Sequence, residues 1–270
     1  MKTQNRIIFL IYLILISLPY LTPIVFPLKI SDQTVAFNNV LNSAPPEGKV
    51  FWNTEGNFQM WPDFGGGEVA VYKVLFTQAK EKGIKLVFAQ FTIESATIAE
   101  GIINDLKALG FVDGLVYGVN YVNFGFIPGQ EAAMAAFGAD IKRTCLADAY
   151  GTPVGELPIM ANINTMSDFA FAGFGGFGFE PQVRQWGQYK IPLITNQTST
   201  LLANIVSWYQ KGLLAGYLAG QNGSAEFERV SGYFGLGTSA SAGQLFAHVY
   251  AIVLLIIPNI YFILKGKTGA

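Results

Sequence analysis

The sequence predicts an α/β fold: a Rossmann-like open parallel sheet of about five strands flanked by helices, with one transmembrane helix at each end of the chain. Between residues 49 and 220, short apolar segments of β character alternate with longer segments of helical spacing. Strands separated by such helices form parallel βαβ units with right-handed crossovers. Two uncharged hydrophobic segments, Ile7–Leu28 and Leu245–Leu264, flank this stretch. Each is long enough to cross a hydrocarbon core, which needs about 20 residues.

Composition and charge place the chain in a membrane. The sequence is 51% hydrophobic and 13% charged, about half of the ~25% charged fraction usual for soluble domains. All 18 acidic residues and 13 of the 17 basic ones lie between the hydrophobic segments, so the middle carries a formal charge of −5. The flanking charges, Lys2, Arg6, Lys265 and Lys267, are all basic. Since positive flanks stay in the cytoplasm, we expect a two-pass plasma-membrane protein with both termini cytoplasmic. An acidic extracytoplasmic domain argues against nucleic-acid binding.

The same patterns predict five segments along the chain. The N-terminal hydrophobic segment ends in Phe26-Pro27-Leu28-Lys29, without the small residues of a signal-peptidase site, which favours a retained anchor. The predicted organisation is an anchor at 1–28, a linker at 29–48, an extracytoplasmic α/β domain at 49–234, a Gly/Ser/Ala-rich linker at 235–244, and an anchor with a basic tail at 245–270.

Alternation within the domain predicts the individual elements. The predicted strands are Lys49–Trp52, Lys85–Phe91, Asp113–Tyr117, Asp168–Phe174 and Lys190–Thr195. Helical spacing, with Gly83, Gly110 and Gly220 as stops, predicts helices at Glu68–Lys82, 95–109, 128–145, Glu180–Tyr189 and Leu201–Leu218.

Polar residues that follow the predicted strands define a candidate ligand crevice. In open α/β sheets, ligands bind beyond the carboxyl ends of the strands. On the predicted strands, this edge collects Glu55, Glu94, Tyr121 and Asn196 as candidate ligand-binding residues. The two carboxylates have an alternative role, in which they cap helices and tie down loops, and we predict no catalytic pair.

The sequence offers few residues for the common kinds of catalytic or metal site. The only histidine, His248, lies in the second hydrophobic segment, which excludes a multi-His zinc site or a His-dependent nucleophile in the domain. The single cysteine, Cys145, is predicted to be a small buried residue. Gly65-Gly66-Gly67 precedes a helix, but its spacing fits neither the dinucleotide nor the Walker pattern. We therefore predict a protein that is not an enzyme, with no catalytic residues, no metal and no cofactor.

Two further patterns concern partners and modification. Gly212, Gly216 and Gly220 recur at every fourth position of a predicted helix, and such a stripe permits close approach of another element. Packing within the chain and contact with a second subunit are both open, and the 14% aromatic content favours a homo-oligomer. Asn196 and Asn222 begin N-x-Ser/Thr triplets, which are candidate glycosylation sites outside the cytoplasm.

One segment carries a resemblance to a known group of proteins. It contains Tyr121-Val122-Asn123-Phe124-Gly125-Phe126 with Pro128, Gly129 and Glu131, followed by Asp148 with Gly151, Thr152 and Pro153. This resembles an uncharacterised family of membrane-anchored bacterial and archaeal proteins with a Rossmann-like extracytoplasmic domain. Asn120 stands where that pattern leads us to expect an acidic residue. The resemblance extends more loosely over residues 49–220. It implies the fold and the topology, but no activity and no site residues.

Two functions follow as hypotheses. The first is a membrane-anchored, non-enzymatic assembly or scaffold protein whose extracytoplasmic domains form a homo-oligomer. The alternative is a membrane-tethered domain that binds or senses a small molecule, similar to one lobe of a solute-binding protein.

Overall fold

A six-stranded parallel sheet forms the centre of the protein, in a computed structural model that describes residues 3–22, 24–176 and 178–267. The strands are β1 Lys49–Glu55, β2 Lys85–Gln90, β3 Tyr121–Phe126, β4 Phe171–Gly176, β5 Leu193–Gln197 and β6 Gly216–Ala219. Their order across the sheet is β3-β2-β1-β4-β5-β6. The chain therefore builds outward from β1 in one direction and then returns to β4 to build in the other. This arrangement confirms the predicted Rossmann-like α/β class.

Helices cover both faces of the sheet and extend beyond it. They are α1 Thr3–Leu21, α2 Asp32–Leu41, α3 Trp61–Lys82, α4 Ile93–Ala108, α5 Gln130–Ala139, α6 Ile141–Thr144, α7 Glu180–Trp186, α8 Leu202–Gln210, α9 Gly220–Ser231 and α10 Leu236–Lys267. Short 3₁₀ turns fill much of the connection from α6 to β4.

The strand predictions are confirmed for β1, β2, β4 and β5, with boundaries shifted by a few residues. The third predicted strand, Asp113–Tyr117, is wrong, because residues 111–114 form turns and the strand follows at Tyr121–Phe126. The sixth strand, Gly216–Ala219, overlaps the end of the predicted helix Leu201–Leu218 and was not expected.

Two apolar cores lie on opposite faces of the sheet. On one face, α5, α7 and α8 pack over the sheet, and the core there contains Phe51 and Phe174 of the strands and Trp186 of α7. On the other, α2, α3, α4 and α9 pack over Trp52 and Phe88. Most of the aromatic side chains fit inside these two layers, where they form tilted and edge-to-face pairs of the kind that aromatic rings prefer. The aromatic content therefore does not by itself require a second subunit.

The predicted linker at 29–48 is wrong, because it contains α2, which belongs to the domain. Phe37 and Leu41 of α2 are fully buried, and the Phe37 ring packs against Trp52 and Phe227. At its N-terminus, the carboxylate of Glu226 accepts hydrogen bonds from the backbone and hydroxyl of Ser31. The polar residues that suggested a linker lie on the outer face of α2 and in the turns on either side.

The predicted linker at 235–244 is also wrong, because these residues begin α10. Their small side chains do not serve flexibility here. They let α10 pack closely against α3 and α9, where Ala240 and Ala242 are buried. From residue 245 onward the side chains of α10 become largely exposed. One uninterrupted helix of 32 residues, about 48 Å long at 1.5 Å per residue, thus starts inside the domain and leaves it.

One helix among the described residues is long and apolar enough to cross a membrane, namely Leu236–Lys265 of α10. The apolar helix at the other end, Asn5–Leu21, is shorter. The prediction of a spanning helix at each end is therefore met only at the C-terminal end. Pro27 and its neighbours at 24–31 do not continue α1, since proline removes a backbone donor and clashes with the preceding turn. Residues 1–2, 23 and 268–270 of the predicted anchors lie outside the described residues.

Helix α1 runs antiparallel to the exposed half of α10. The Tyr250 hydroxyl donates to the Ile8 carbonyl at 3.0 Å, and the rings of Tyr12 and Tyr250 lie 6.3 Å apart. Farther along, Gly243 lies against the Ile16 carbonyl. The two apolar helices therefore form a pair on one side of the domain.

The predicted glycine stripe does not exist, because Gly212, Gly216 and Gly220 do not share a helix. Gly212 occupies a turn and Gly220 the start of α9, both with positive φ. Gly216 begins β6, where the backbone of α2 crosses so closely that a Cβ atom would lie 2.3 Å from the Phe37 nitrogen. Gly216 and Gly220 serve close packing within the chain and Gly212 serves its turn, so the three glycines give no reason for a subunit contact.

Replacing Gly216 with alanine should therefore destabilise the domain without acting through assembly. The added methyl group would press on backbone that cannot move alone, and we expect the free energy of unfolding to fall by about 2–4 kcal/mol. The control is Gly101→Ala on exposed α4, where no atom lies within 4 Å of the new Cβ. That change should stabilise by about 0.5–1 kcal/mol. Chemical denaturation of both variants is the measurement, and equal effects would contradict the packing assignment.

Candidate functional site

The candidate site lies at the carboxyl edge of the sheet, between β1 and β4, where the order in which successive strands are added reverses. Ligands of open α/β sheets bind at such switch points. Of the four predicted ligand-binding residues, Glu55 ends β1, Glu94 lies in the first turn of α4, and Asn196 lies near the end of β5. Tyr121 is the first residue of β3 and lies at the opposite edge, packed against Phe76. The four residues therefore do not form one pocket, and the misplaced third strand is the reason.

Glu55 and Glu94 hold two neighbouring loops together. The Glu55 carboxylate accepts a hydrogen bond from the Phe91 amide of the β2–α4 loop at 3.1 Å. In return, Glu94 accepts one from the Phe58 amide of the β1–α3 loop at 2.8 Å. Burial raises the pKa of Glu55, and several hydrogen bonds offset part of that rise. This reciprocal pair has the geometry of the alternative role, in which the carboxylates tie down loops.

A fully buried carboxylate, Glu68 of α3, joins three elements on one face of the sheet. It accepts hydrogen bonds from the Trp52 indole at 2.8 Å, the Thr54 hydroxyl at 2.7 Å and the Asn196 amide at 3.0 Å. Thr54 also lies 2.8 Å from the Tyr72 hydroxyl. Burial raises the pKa of Glu68, and its three donors offset part of that effect. These donors hold α3 on the sheet, although the Oδ1 atom of Asn196 itself has no hydrogen-bond partner among the described residues.

Glycines of β4 make room for this network. A Cβ on Gly175 would lie 1.9 Å from a Glu68 oxygen, and one on Gly173 would lie 2.0 Å from the Trp52 ring. The glycine-rich stretch that begins at Gly173 resembles a turn in the sequence, yet residues 171–176 form a central strand. Its glycines are required by the two large side chains that cross it.

A second polar cluster lies on the other face of the same edge. The side-chain amide nitrogen of Asn53 donates to Glu55 at 3.1 Å and to the Ala89 backbone carbonyl at 2.8 Å. The side-chain amide of Gln182 donates to the side-chain oxygen of Asn53 at 3.1 Å. This neighbourhood is incompletely bonded. Within the described ranges, the Gln182 Oε1 atom has no hydrogen-bond partner, although the residue is almost fully buried. Both polar atoms of the buried Gln90 side chain also lack partners, but they lie on the Glu68 face of the sheet, because residues of a strand alternate between faces and Gln90 follows Phe88 by two positions. Such atoms cost about 1–3 kcal/mol each unless a solvent molecule or a ligand satisfies them.

Two other predicted residues have clear placements. Asn196 is fully buried in β5, so a glycan at this position is incompatible with the fold, whereas Asn222 is exposed on α9. Cys145 is buried, as predicted, and burial raises the pKa of its thiol to about 12. At neutral pH this thiol remains protonated and is a poor nucleophile.

The junction between the domain and α10 contains another buried carboxylate, Glu228 of α9. One oxygen accepts from the Gly237 amide at 2.8 Å. The other accepts from the Gly235 and Thr238 amides, each at 2.8 Å, and from the Thr238 hydroxyl at 2.6 Å. The first amides of a helix lack partners within that helix, and they carry the positive end of its dipole. Glu228 therefore caps α10 from a neighbouring helix.

The triplet Gly65-Gly66-Gly67 serves this junction. A Cβ on Gly66 would lie 2.2 Å from the Gly237 nitrogen, and one on Gly67 would lie 2.9 Å from the Ser224 hydroxyl. The triplet therefore lies inside α3 and allows α9 and α10 to approach that helix. This explains its presence without a phosphate ligand.

Comparison with known proteins adds no assignment: the chain matches no protein-family model and no curated protein. The site must therefore be interpreted from its own geometry. Among the described residues, no group of three or more histidine, cysteine, aspartate or glutamate side chains has an arrangement that could hold a metal ion. What the geometry offers is a carboxylate network at Glu68, unpartnered buried amide atoms of Gln90 and Gln182 on opposite faces of the sheet edge, and a capped joint at Glu228.

Proposed function

We propose that this protein is a membrane-anchored, non-enzymatic scaffold that holds its α/β domain at a fixed orientation on the outer surface of the membrane. The observation that carries the proposal is the cap of Glu228 on α10. Because the helix that leaves the domain begins inside it, the domain cannot swivel on a linker. Basic residues beyond the apolar part of α10 favour a cytoplasmic C-terminus. Since α1 runs antiparallel beside α10, the proposed topology places the N-terminus on the same side.

An exposed apolar groove supports the assembly part of this proposal. It lies beside the edge strand β3, has a volume of about 580 Å³, and is lined in part by Ile93, Phe126 and Tyr150. These three side chains are 69%, 40% and 55% exposed. Clustered exposed apolar side chains on a monomer often mark an interaction surface. The proposed occupant is a second copy of this chain, since anchoring keeps identical domains in one plane and raises their effective concentration.

The fixed joint can be tested with Glu228→Gln. An uncharged amide keeps the shape but offers one acceptor oxygen in place of two, so at least one amide donor of α10 is left unpaired. We expect a loss of about 2–4 kcal/mol in the free energy of unfolding. Spin labels at positions 105 and 253 should show a broader distance distribution in this variant, by double electron–electron resonance. Glu156→Gln, at an exposed position, is the matched control. An unchanged distribution in Glu228→Gln would contradict the proposed role of the cap.

Assembly and topology can be tested together with Ile93→Cys. The native Cys145 is buried and protonated, so it contributes little background reaction. A membrane-impermeant maleimide applied to intact cells should label the new cysteine, and a bifunctional maleimide should link two chains. Lys211→Cys, exposed in the turn before the opposite edge strand, should be labelled but not linked. Labelling without linking would refute the homo-oligomer, and absence of labelling would refute the topology.

A second function, binding of a small polar molecule, is supported by the unpartnered amide atoms of Gln90 at the carboxyl end of β2. A guest that supplies both a donor and an acceptor there would satisfy them. This is the alternative in which the tethered domain binds or senses a solute.

Gln90→Leu tests the second function. Leucine has a similar size and removes the unpaired amide, so the ligand-free protein should gain about 1–2 kcal/mol in the free energy of unfolding. The same change at Gln78, which is buried but donates to the Leu41 carbonyl at 3.1 Å, should destabilise. Native mass spectrometry should find a small molecule on the wild-type protein and none on Gln90→Leu. A wild-type protein free of any such molecule would contradict binding.

A further inference from the structure

A cavity lies where α10 leaves the domain. It has a volume of about 260 Å³ and is enclosed by the segment after α1, by α9 and by the first turns of α10. Most of its wall is apolar, including Phe26 and Phe234. Two basic side chains, Arg229 and His248, also line it, and no acidic residue does. Its position places it at the level where the exposed apolar part of α10 begins.

The charge of Arg229 is not neutralised by a carboxylate. One guanidinium nitrogen donates to the Phe26 carbonyl at 2.8 Å, which fixes the side chain at the cavity wall. No acidic side chain of the described residues lies within salt-bridge distance of Arg229. The acid on the preceding turn of α9, Glu226, is instead bonded to the hydroxyls of Ser31 and Thr34. The remaining guanidinium donors therefore suit an anionic group, which arginine binds well through its planar fork.

A second, larger cavity joins this one. It has a volume of about 640 Å³ and lies between α1 and α10, and Gln244 and His248 line both cavities. On the α10 side its wall is formed by small residues: Ala240, Gly243, Ala247 and Ala251. On the α1 side, Tyr12, Ile16 and Tyr20 face it. The result is an apolar groove along the anchor helix that begins at a basic cavity.

We propose that this pair of cavities binds one anionic phospholipid, with its phosphate at Arg229 and His248 and an acyl chain along the groove between α1 and α10. The inference rests on the proposed membrane anchoring, because the groove faces lipid only if α10 enters the bilayer. The charge selects the headgroup and the small residues of α10 accommodate the chain. A bound lipid would fix α1 against α10 and would help to set the height of the domain above the membrane.

The test is lipid binding by the full-length protein in neutral detergent, and native mass spectrometry is the measurement. The probes are dioleoyl-phosphatidylglycerol, dioleoyl-phosphatidylcholine and water-soluble glycerol phosphate. We expect one phosphatidylglycerol per chain, bound about tenfold more tightly than phosphatidylcholine, and no measurable binding of glycerol phosphate. Equal binding of the two lipids would overturn the proposal. So would binding of glycerol phosphate as tight as that of the lipid, since this would indicate a phosphate site only.

Substitutions test the contributions of the lipid headgroup and of the acyl chain separately. Arg229→Ala should weaken phosphatidylglycerol binding about tenfold, Arg229→Lys should weaken it less, and Arg143→Ala, at an exposed position of α6, should not change it. Ala247→Leu should weaken binding of both lipids by filling the groove. Unchanged binding in Arg229→Ala would overturn the proposal. Alkaline extraction of cell membranes reports anchoring separately: protein that stays in the membrane but shows no lipid preference refutes this inference alone.

Discussion

The buried carboxylate of Glu228 is the constraint that links the domain to α10, a helix long and apolar enough to cross a membrane. A carboxylate removed from water requires several strong donors, and here the unpaired amides at the start of α10 supply them. The helix in turn needs an acceptor for those amides. Each group thus satisfies a requirement of the other, and the bond forms only because Gly66 and Gly237 allow three helices to meet at backbone distance. The cap on α10 and the close packing of the three helices are consequences of one contact.

The carboxyl edge of the sheet shows two ways of placing polar groups in a core. At Glu68, three donors surround the carboxylate, and the neighbouring strand has lost its side chain at Gly175 to admit it. There the carboxylate itself is fully bonded, although the Asn196 Oδ1 atom has no partner among the described residues. At Gln90 the amide is buried beside apolar neighbours without a partner among the described residues. Incomplete satisfaction of this kind is often found at functional sites, where stability has been given up.

The sequence predicted the fold class because hydrophobic periodicity is a local property. β1, β2, β4 and β5 are short apolar runs between helices of clear spacing, and periodicity identifies these elements well. It failed where local chemistry conflicts with tertiary packing. Tyr121–Phe126 contains Asn123 and Gly125, and Gly216–Ala219 lies largely within a run whose apolar residues and glycines have helical spacing, so neither looks like a strand. Small residues at 235–243 indicated a linker, because flexible chain and close helix packing require the same side chains. Glu68 could not be assigned because Asn196, one of its partners, is distant in sequence. The partners of Glu228 are near in sequence, but residues 235–238 were predicted to be part of a linker and not the start of a helix that needs a cap.

Because α10 is continuous, the number of residues in it also determines how the domain is rotated about the helix axis. Each residue of an α-helix advances about 1.5 Å and turns about 100°. Because no hinge separates the capped turn at Gly237 from the exposed turns beyond Leu245, inserting or deleting one residue between them would rotate the domain by about 100° about the axis of the exposed part of α10 and shift it along that axis by only about 1.5 Å. The number of residues in this stretch therefore determines which flank of the sheet faces a given side of that helix, and surfaces on the domain keep their direction only if that number is preserved.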